Sequence, residues 1–153
     1  MSLATLTPGL GDALQRWLTH IASIDGRAQA TVDAYQRDVL GFLAFQQNHV
    51  GDGFGGGFGP AALARLSVSD MRAWMAHERG RGVAPRSLAR SLSAVKTFAG
   101  WLAERDGFDV TAILAIRSPK FRKKLPRPLS AGDAIAVIDR LDVNAAQPWV
   151  SAR

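Results

Sequence analysis

The sequence predicts an all-α protein, a compact bundle of four to five helices. Apolar residues recur at helical spacing over most of the chain, strand patterns are scarce, and most breaks between the helical segments are only a few residues long. Of the 153 residues, 47% are apolar, which is enough for a buried core. No apolar run approaches the ~18 residues of a membrane span, and no basic helix carries a bulky exposed apolar face, so no membrane partner is expected.

The first two predicted helices each carry one apolar stripe. The first is expected over residues 11–23 and the second over residues 28–48. Their stripes consist of Leu14, Trp17, Leu18 and Ile21, and of Val32, Tyr35, Val39, Phe42 and Leu43. Tyr35 is the only tyrosine of the chain, and its place on a stripe predicts a core residue rather than a nucleophile.

The segment 51–60, GDGFGGGFGP, is predicted to be a flexible surface loop, because glycine is costly in helices and permissive in backbone. A phosphate-binding loop is the alternative. It is disfavoured because the segment lacks the GxxxxGK[ST] spacing and a preceding strand.

The third helix is expected to begin at Ser67 or Ser69 and to end within residues 79–82. Its core residues are predicted to be Met71, Trp74 and Met75. The fourth is expected from Pro85 to about Arg105, with an apolar seam of Leu88, Leu92, Val95, Ala99 and Leu102. A short helix over 109–116 and a further helix over 131–141, capped by Ser130, complete the prediction.

A basic segment runs from Arg117 to Arg127, with the sequence RSPKFRKKLPR. It holds six basic residues and no acidic one, so it has too little apolar surface to form a packed core. Residues 67–128 carry thirteen Lys or Arg against five Asp or Glu, so the net charge of +6 is concentrated there. This concentration favours contact with DNA or RNA phosphates over a solvated linker that is basic by chance.

Two predicted helices carry polar faces on which basic residues alternate with small ones. The fourth helix presents Arg86, Ala89, Arg90, Ser93, Lys96, Thr97 and Gly100, and the second presents Arg27, Ala30, Thr31, Ala34, Arg37, Asp38 and Gly41. Small residues let a helix approach a duplex, Arg binds phosphates or guanine edges, and Ser and Thr bind phosphates. An ordinary solvated face is the alternative for either helix alone. Asp38 argues against a phosphate at its own position and suits a pair with Arg37 or a neighbouring helix.

No metal, cofactor or catalytic site is predicted. The absence of cysteine excludes disulfides, thiolate nucleophiles and Cys-based zinc sites. The histidines at 20, 49 and 77 show neither HxxxH nor HExxH spacing, and no carboxylate pair is placed for acid–base chemistry. We therefore expect no cofactor and no small-molecule substrate. The absence of cysteine is compatible with a cytoplasmic location, and the N-terminus lacks the pattern of a signal peptide.

Four segments resemble the tyrosine site-specific recombinase, or integrase, family of the Xer type. TVDAYQRDV at 31–39, followed by Phe42, resembles the T-x-x-x-Y-x-x-D-L…F pattern of that family's second helix. SLARSLSAVKTF at 87–98, followed by Trp101 and Leu102, is similar to its fourth helix. SPK at 118–120 and LPRPLS at 125–130 resemble its linker, and 133–141 is similar to the opening helix of its catalytic domain. The resemblance covers roughly residues 10–142, and the glycine-rich insertion at 51–60 departs from it.

The resemblance implies a SAM-like core-binding domain at 10–116, a basic interdomain linker at 117–128 and the start of a truncated catalytic domain at 129–153. The family clamps DNA between the two domains. Its catalytic arginine, lysine, histidine and tyrosine motifs would follow Arg153, so no catalytic residue is carried onto this chain. The full-length parent is expected to break and rejoin DNA with paired recombinase protomers in a tetrameric synaptic complex. Its role would be chromosome dimer resolution or phage or transposon integration.

The sequence thus predicts the double-stranded DNA-binding half of such a recombinase. The residues expected to contact DNA are Arg27, Thr31, Arg37, Arg86, Ser87, Arg90, Ser93, Lys96, Thr97, Lys120, Arg122, Lys123, Lys124 and Arg127, with Arg86 and Arg90 chosen to reach bases. Two alternatives from other classes remain. One is a non-catalytic helical DNA-binding regulator, and the other is a helical protein-interaction module with an acidic partner.

Overall fold

The computed structural model describes residues 6–50 and 58–120, which form helices and no strand. The helices are α1 (Pro8–Ser23), α2 (Gln29–Val50), α3 (Pro60–Ala64), α4 (Val68–Gly80), α5 (Pro85–Asp106) and α6 (Thr111–Leu114). The all-α prediction is confirmed, and α1, α2, α4, α5 and α6 match predicted helices. The helix predicted over 131–141 and most of the predicted glycine-rich loop lie outside the described residues.

The helix boundaries differ from the predicted ones where a local residue favours another start. α1 begins at Pro8, three residues earlier than expected, because the fixed φ of proline suits the first helical position. α3 is absent from the prediction, which places Pro60 in the loop at 51–60, whereas the structure has Pro60 as the first residue of a helix. α6 begins at Thr111 rather than Asp109, because the Asp109 carboxylate accepts the Thr111 backbone N–H at 2.9 Å.

α5 supplies the central apolar surface of the described residues. Its predicted seam is buried, together with Ala94 and Phe98, and it packs against α1, α2, α4 and α6. α2 makes its most extensive packing contact with α5 and buries its own predicted stripe. At 25 cal/mol per Å², a fully buried Leu or Phe contributes about 1.5–3 kcal/mol, so the shared seam is a major source of stability.

Aromatic side chains join the four long helices. Trp17 of α1 stacks on Tyr35 of α2 at a centroid distance of 6.1 Å and meets Phe98 of α5 at 5.3 Å. Phe42 of α2 meets Trp74 of α4 edge to face at 5.0 Å. Tyr35 is only 8% exposed, so the prediction that it packs in the core is confirmed.

The start of α4 is attached to the end of α2 through Asp70. Ser67 is the N-cap of α4, and its hydroxyl accepts the Asp70 backbone N–H at 3.1 Å while the Asp70 carboxylate accepts the Ser67 N–H at 2.8 Å. From α2, Gln46 donates to the Asp70 carbonyl at 3.2 Å, and His49 Nε2 lies 3.1 Å from the Asp70 carboxylate. The capping box therefore sets the relative position of two helices as well as the end of one.

Ser67→Ala should lower the free energy of unfolding by about 1 kcal/mol, because it removes the acceptor for an N-terminal helix N–H. Urea denaturation followed by circular dichroism measures the change. Ser69→Ala is the matched control, since Ser69 is exposed within the first turn and should change stability little. Equal losses in both variants would contradict the assigned cap.

Burial of Asp70 raises its pKa, but the hydrogen bonds from Ser67 and His49 outweigh burial and hold the pKa below its ordinary value. Asp70 should therefore stabilise the fold above its unfolded pKa of about 3.9 and lose this effect as pH falls through its folded pKa. Urea titrations from pH 6 to pH 2 should show wild type more stable than Asp70→Asn, with the gap closing in acid. A gap that widens in acid would contradict the assignment.

Candidate nucleic-acid interface

The predicted DNA-contacting residues all lie outside the core wherever the structure describes them. Arg27, Arg37, Arg86, Arg90, Ser93 and Lys120 are exposed, and Thr31, Ser87, Lys96 and Thr97 are partly buried. Arg122, Lys123, Lys124 and Arg127 lie outside the described residues. We call the predicted DNA-contacting residues that lie on α2 and α5, together with Asp38, Gly41 and Gly100, the polar face.

The polar face has a charged junction between its two helices. The Asp38 carboxylate of α2 accepts two hydrogen bonds from Arg90 of α5, from Nε at 2.9 Å and from Nη2 at 3.1 Å. The Ser91 hydroxyl donates a third at 3.0 Å. The Asp38 side chain is only 9% exposed, whereas that of Arg90 is 50% exposed. Of the two partners expected for Asp38, the structure shows the neighbouring helix.

An open cleft of ≈ 440 Å³ brings part of the polar face together beside this junction. Arg37 and Gly41 line it from α2, and Ser87 and Arg90 line it from α5. The cleft lies where α2, the end of α4 and the start of α5 meet. Three predicted residues, Arg37, Ser87 and Arg90, therefore share one concave surface.

Arg81 also lines this cleft and was missed by the sequence reasoning. It follows the last turn of α4, where its Nη1 donates to both carboxylate oxygens of Glu78 at 2.9 and 3.1 Å. The signal that could have identified it is the RGRG run at 79–82, a basic turn directly before the predicted fourth helix.

Two further predicted residues already make contacts within the protein, and one of them, Arg27, precedes the start of α2 at Gln29 rather than lying on the helix. The Arg27 guanidinium lies over the Tyr35 ring, 5.4 Å from its centroid, in a cation–π arrangement. The Thr97 hydroxyl donates to the Ser93 carbonyl of its own helix at 2.8 Å, so binding a phosphate would require that hydrogen bond to be exchanged.

The start of α5 favours a negative charge in its neighbourhood. Ala84 occupies the N-cap and provides no side-chain hydrogen bond, and the first turn has no acidic residue. The first N–H groups of a helix lack intrahelical partners and carry the positive end of its dipole. Arg86 and Ser87 of the polar face lie in this turn.

Two glycines on the polar face have no packing reason to be glycine. A Cβ built on Gly41 or on Gly100 meets nothing within 4 Å outside its own helix backbone. Both lie inside long helices with ordinary helical backbone, where glycine is unfavourable. Packing within the described part of the protein therefore does not require glycine at either position.

No group of three or more potential metal ligands occurs in residues 6–50 and 58–120. Within those same ranges, no helix is long and apolar enough to cross a membrane. The chemistry available on the polar face is that of positive charge, hydrogen-bond donors and close approach.

Comparison with known proteins identifies relatives of this chain. Residues 14–106 match the family described as "Phage integrase, N-terminal SAM-like domain". The chain is 34% identical over 146 residues to a tyrosine recombinase XerC from Mesorhizobium japonicum, covering 95% of this chain and 46% of that protein. It is 38% identical over 151 residues to a tyrosine recombinase XerC from Methylobacterium nodulans, covering 95% and 44%. The chain spans about half the length of the curated relatives it matches. No solved structure matches it.

Gly41→Ala and Gly100→Ala should each stabilise the fold by about 0.5–1 kcal/mol, because alanine loses less backbone entropy in a helix and the added methyl meets open space. Urea denaturation measures the change. Gly107→Ala is the contrasting control, since Gly107 has φ 74° at the end of α5 and alanine there should destabilise. Destabilisation by Gly41→Ala or Gly100→Ala would reveal a packing role.

Proposed function

This chain belongs to the phage integrase N-terminal SAM-like domain family, and we propose that it is the half of an Xer-type tyrosine recombinase that grips a recombination half-site on double-stranded DNA. In this proposal it forms one side of a clamp around the duplex. In this proposal the parent protein has about the length of its XerC relatives, and its second half carries out the chemistry of strand exchange. This chain contributes binding and orientation.

The observation that carries the proposal is the polar face of α2 and α5. The aromatic core holds α2 and α5 together. On these helices lie exposed arginines, the start of α5 without a side-chain cap, and two glycines whose Cβ positions face open space. Arginine and a helix N-terminus both bind phosphate, and glycine permits the close approach that such contacts need. Glycine is unfavourable inside a long helix, so its presence at both positions of this face favours close approach by a partner.

Contacts divide into phosphate binding and base recognition. Arg37, Ser87 and the start of α5 are suited to phosphates, because they line or adjoin the cleft with exposed or partly exposed donors. Arg86 and Arg90 are suited to guanine edges, because arginine can donate two parallel hydrogen bonds to guanine O6 and N7. Arg27, Thr31, Ser93, Lys96 and Thr97 would extend the contact along the duplex.

The basic segment would continue the contact along the phosphate backbone. Lys120 is exposed at the end of the described residues. In the proposal Lys120, Arg122, Lys123, Lys124 and Arg127 follow the phosphates between the two halves of the clamp, since each neutralised phosphate releases condensed counterions. The remaining residues, 129–153, would begin the catalytic domain.

The parent protein would act in the cytoplasm as paired protomers, with four assembled on two DNA sites. Chromosome dimer resolution is the preferred role, because the relatives named above are XerC recombinases. Phage or transposon integration is the closest alternative with the same chemistry.

Fluorescence anisotropy tests the proposal with the full 153-residue chain, a labelled Xer-type half-site duplex and a scrambled duplex of equal length. We expect about micromolar or weaker affinity at physiological salt, because one side of the clamp binds alone, and a preference for the half-site that weakens with salt. Equal, salt-dependent binding to both duplexes would place the specificity in the catalytic half. Absence of binding even at low salt would contradict the proposal and favour an acidic protein partner.

Arg86→Ala should weaken half-site binding by about 1–3 kcal/mol if Arg86 contacts a base, with a smaller loss on the scrambled duplex. A phosphate contact would instead weaken both duplexes alike and reduce the salt slope by about one. Arg16→Ala is the matched control, since it removes the same charge from α1, where Arg16 pairs with Asp12 at 3.0 Å. Equal effects of the two substitutions would remove Arg86 from the interface.

A further inference from the structure

Asp38 is the one acidic residue of the polar face as defined above. A carboxylate beside the arginines that face DNA repels phosphates, and burying it to 9% exposure carries a desolvation cost. The structure offsets that cost with three hydrogen bonds, two from Arg90 and one from Ser91. The other charged residues of the polar face are basic.

The geometry of the pair leaves part of Arg90 available. Asp38 occupies the edge of the guanidinium formed by Nε and Nη2, at 2.9 and 3.1 Å. An arginine has five N–H groups, so both Nη1 hydrogens and one Nη2 hydrogen remain. These belong to the end of the side chain, and half of the side-chain surface is open to solvent.

The carboxylate itself is held in place. The Ser91 hydroxyl donates to the same Asp38 oxygen that accepts Arg90 Nη2, and Ser91 is only 8% exposed. Asp38 lies on α2, whereas Arg90 and Ser91 are consecutive residues of α5. The orientation of Arg90 is therefore set by both helices together. Its pKa is also raised, chiefly by the hydrogen bonds to Asp38, so its charge is secure.

We propose that Asp38 is a positioning residue for sequence recognition: it holds Arg90 by one edge so that the free end of the guanidinium is presented to a guanine in the major groove. This inference rests on the proposed function, and it names the specificity element within that interface. Asp38 itself touches no base. Its contribution is to remove the alternative conformations of a long side chain before the duplex arrives.

The expected benefit is selectivity rather than affinity. A free arginine reaches any nearby phosphate, whereas an arginine fixed by Asp38 offers two parallel donors in one direction, which match guanine O6 and N7. The negative charge of Asp38 repels phosphates, so it lowers the affinity for DNA of any sequence, just as the positive charge of an arginine increases that affinity. Asp38 therefore weakens binding to all sequences and protects the preference for one.

A purely structural role makes a different prediction. If Asp38 served only to join α2 to α5, its loss would lower thermal stability and weaken binding to every duplex in proportion. The ratio of affinities for preferred and scrambled DNA would then stay constant. This ratio separates the two roles.

The test uses the full chain and two duplexes. Selection from a randomised duplex library with wild-type protein defines the preferred duplex, and anisotropy then gives Kd for it and for a scrambled duplex of equal length. Asp38→Asn, close in size, should bind the scrambled duplex at least as tightly as wild type and lose about ten-fold or more of its preference. An unchanged preference would overturn the inference.

Asp33→Asn is the matched control, because it removes the same charge from α2 at an exposed site where the Asp33 carboxylate accepts a hydrogen bond from Gln29 at 2.8 Å. It should strengthen binding to both duplexes and leave their ratio unchanged. A loss of preference equal to that of Asp38→Asn would make charge, rather than positioning, responsible.

Arg90→Lys keeps the test decisive if Asp38→Asn fails to fold. Lysine retains the charge but lacks the planar fork, so it should lose a similar share of the preference. A full wild-type preference in Arg90→Lys would overturn the inference.

The wild-type chain itself separates the two proposals. If it binds DNA without any sequence preference, the positioning role fails while the DNA-binding proposal stands. If it binds no DNA, the proposed function itself fails.

Discussion

The packing of α5 against α2 is the contact on which the rest of the structure depends. The buried seam of α5 faces the buried stripe of α2, and Trp17 and Phe42 extend this core to α1 and α4 through Tyr35, Phe98 and Trp74. Because apolar burial is nondirectional, the interdigitation of these rings sets how the helices align. The opposite sides of the same two helices then form one surface instead of two separate ones.

The electrostatics of that surface follow from this alignment. Asp38 approaches Arg90 and Ser91 only because α2 and α5 are adjacent, and a pair with one member 9% exposed is screened less than a surface ion pair. Arg81 joins the same cleft from the turn between α4 and α5. The polar face is therefore a set of arginines with individual environments rather than a uniform positive patch.

Membership of the integrase N-terminal family gives this surface its context. The relatives are about twice as long as this chain, and their name describes recombination. In the proposed role on one side of a duplex, the described residues offer hydrogen-bond donors and positive charge. Specificity and affinity are separable demands on such a domain, since phosphates supply the second and base edges the first.

The sequence by itself determined the helical class, four long helices, their buried stripes and the basic character of the middle of the chain. These are local properties, because periodicity and end signals such as Ser67 and Pro85 act within a few residues. Only the tertiary structure decided that Asp38 holds Arg90, 52 positions along the chain, and that Arg81 enters the cleft. It also revealed α3, whose five residues are too few to show a period. The packing of the helices determines which residues far apart in sequence become neighbours. A periodic pattern along the chain does not give the spatial distance between residues of different helices.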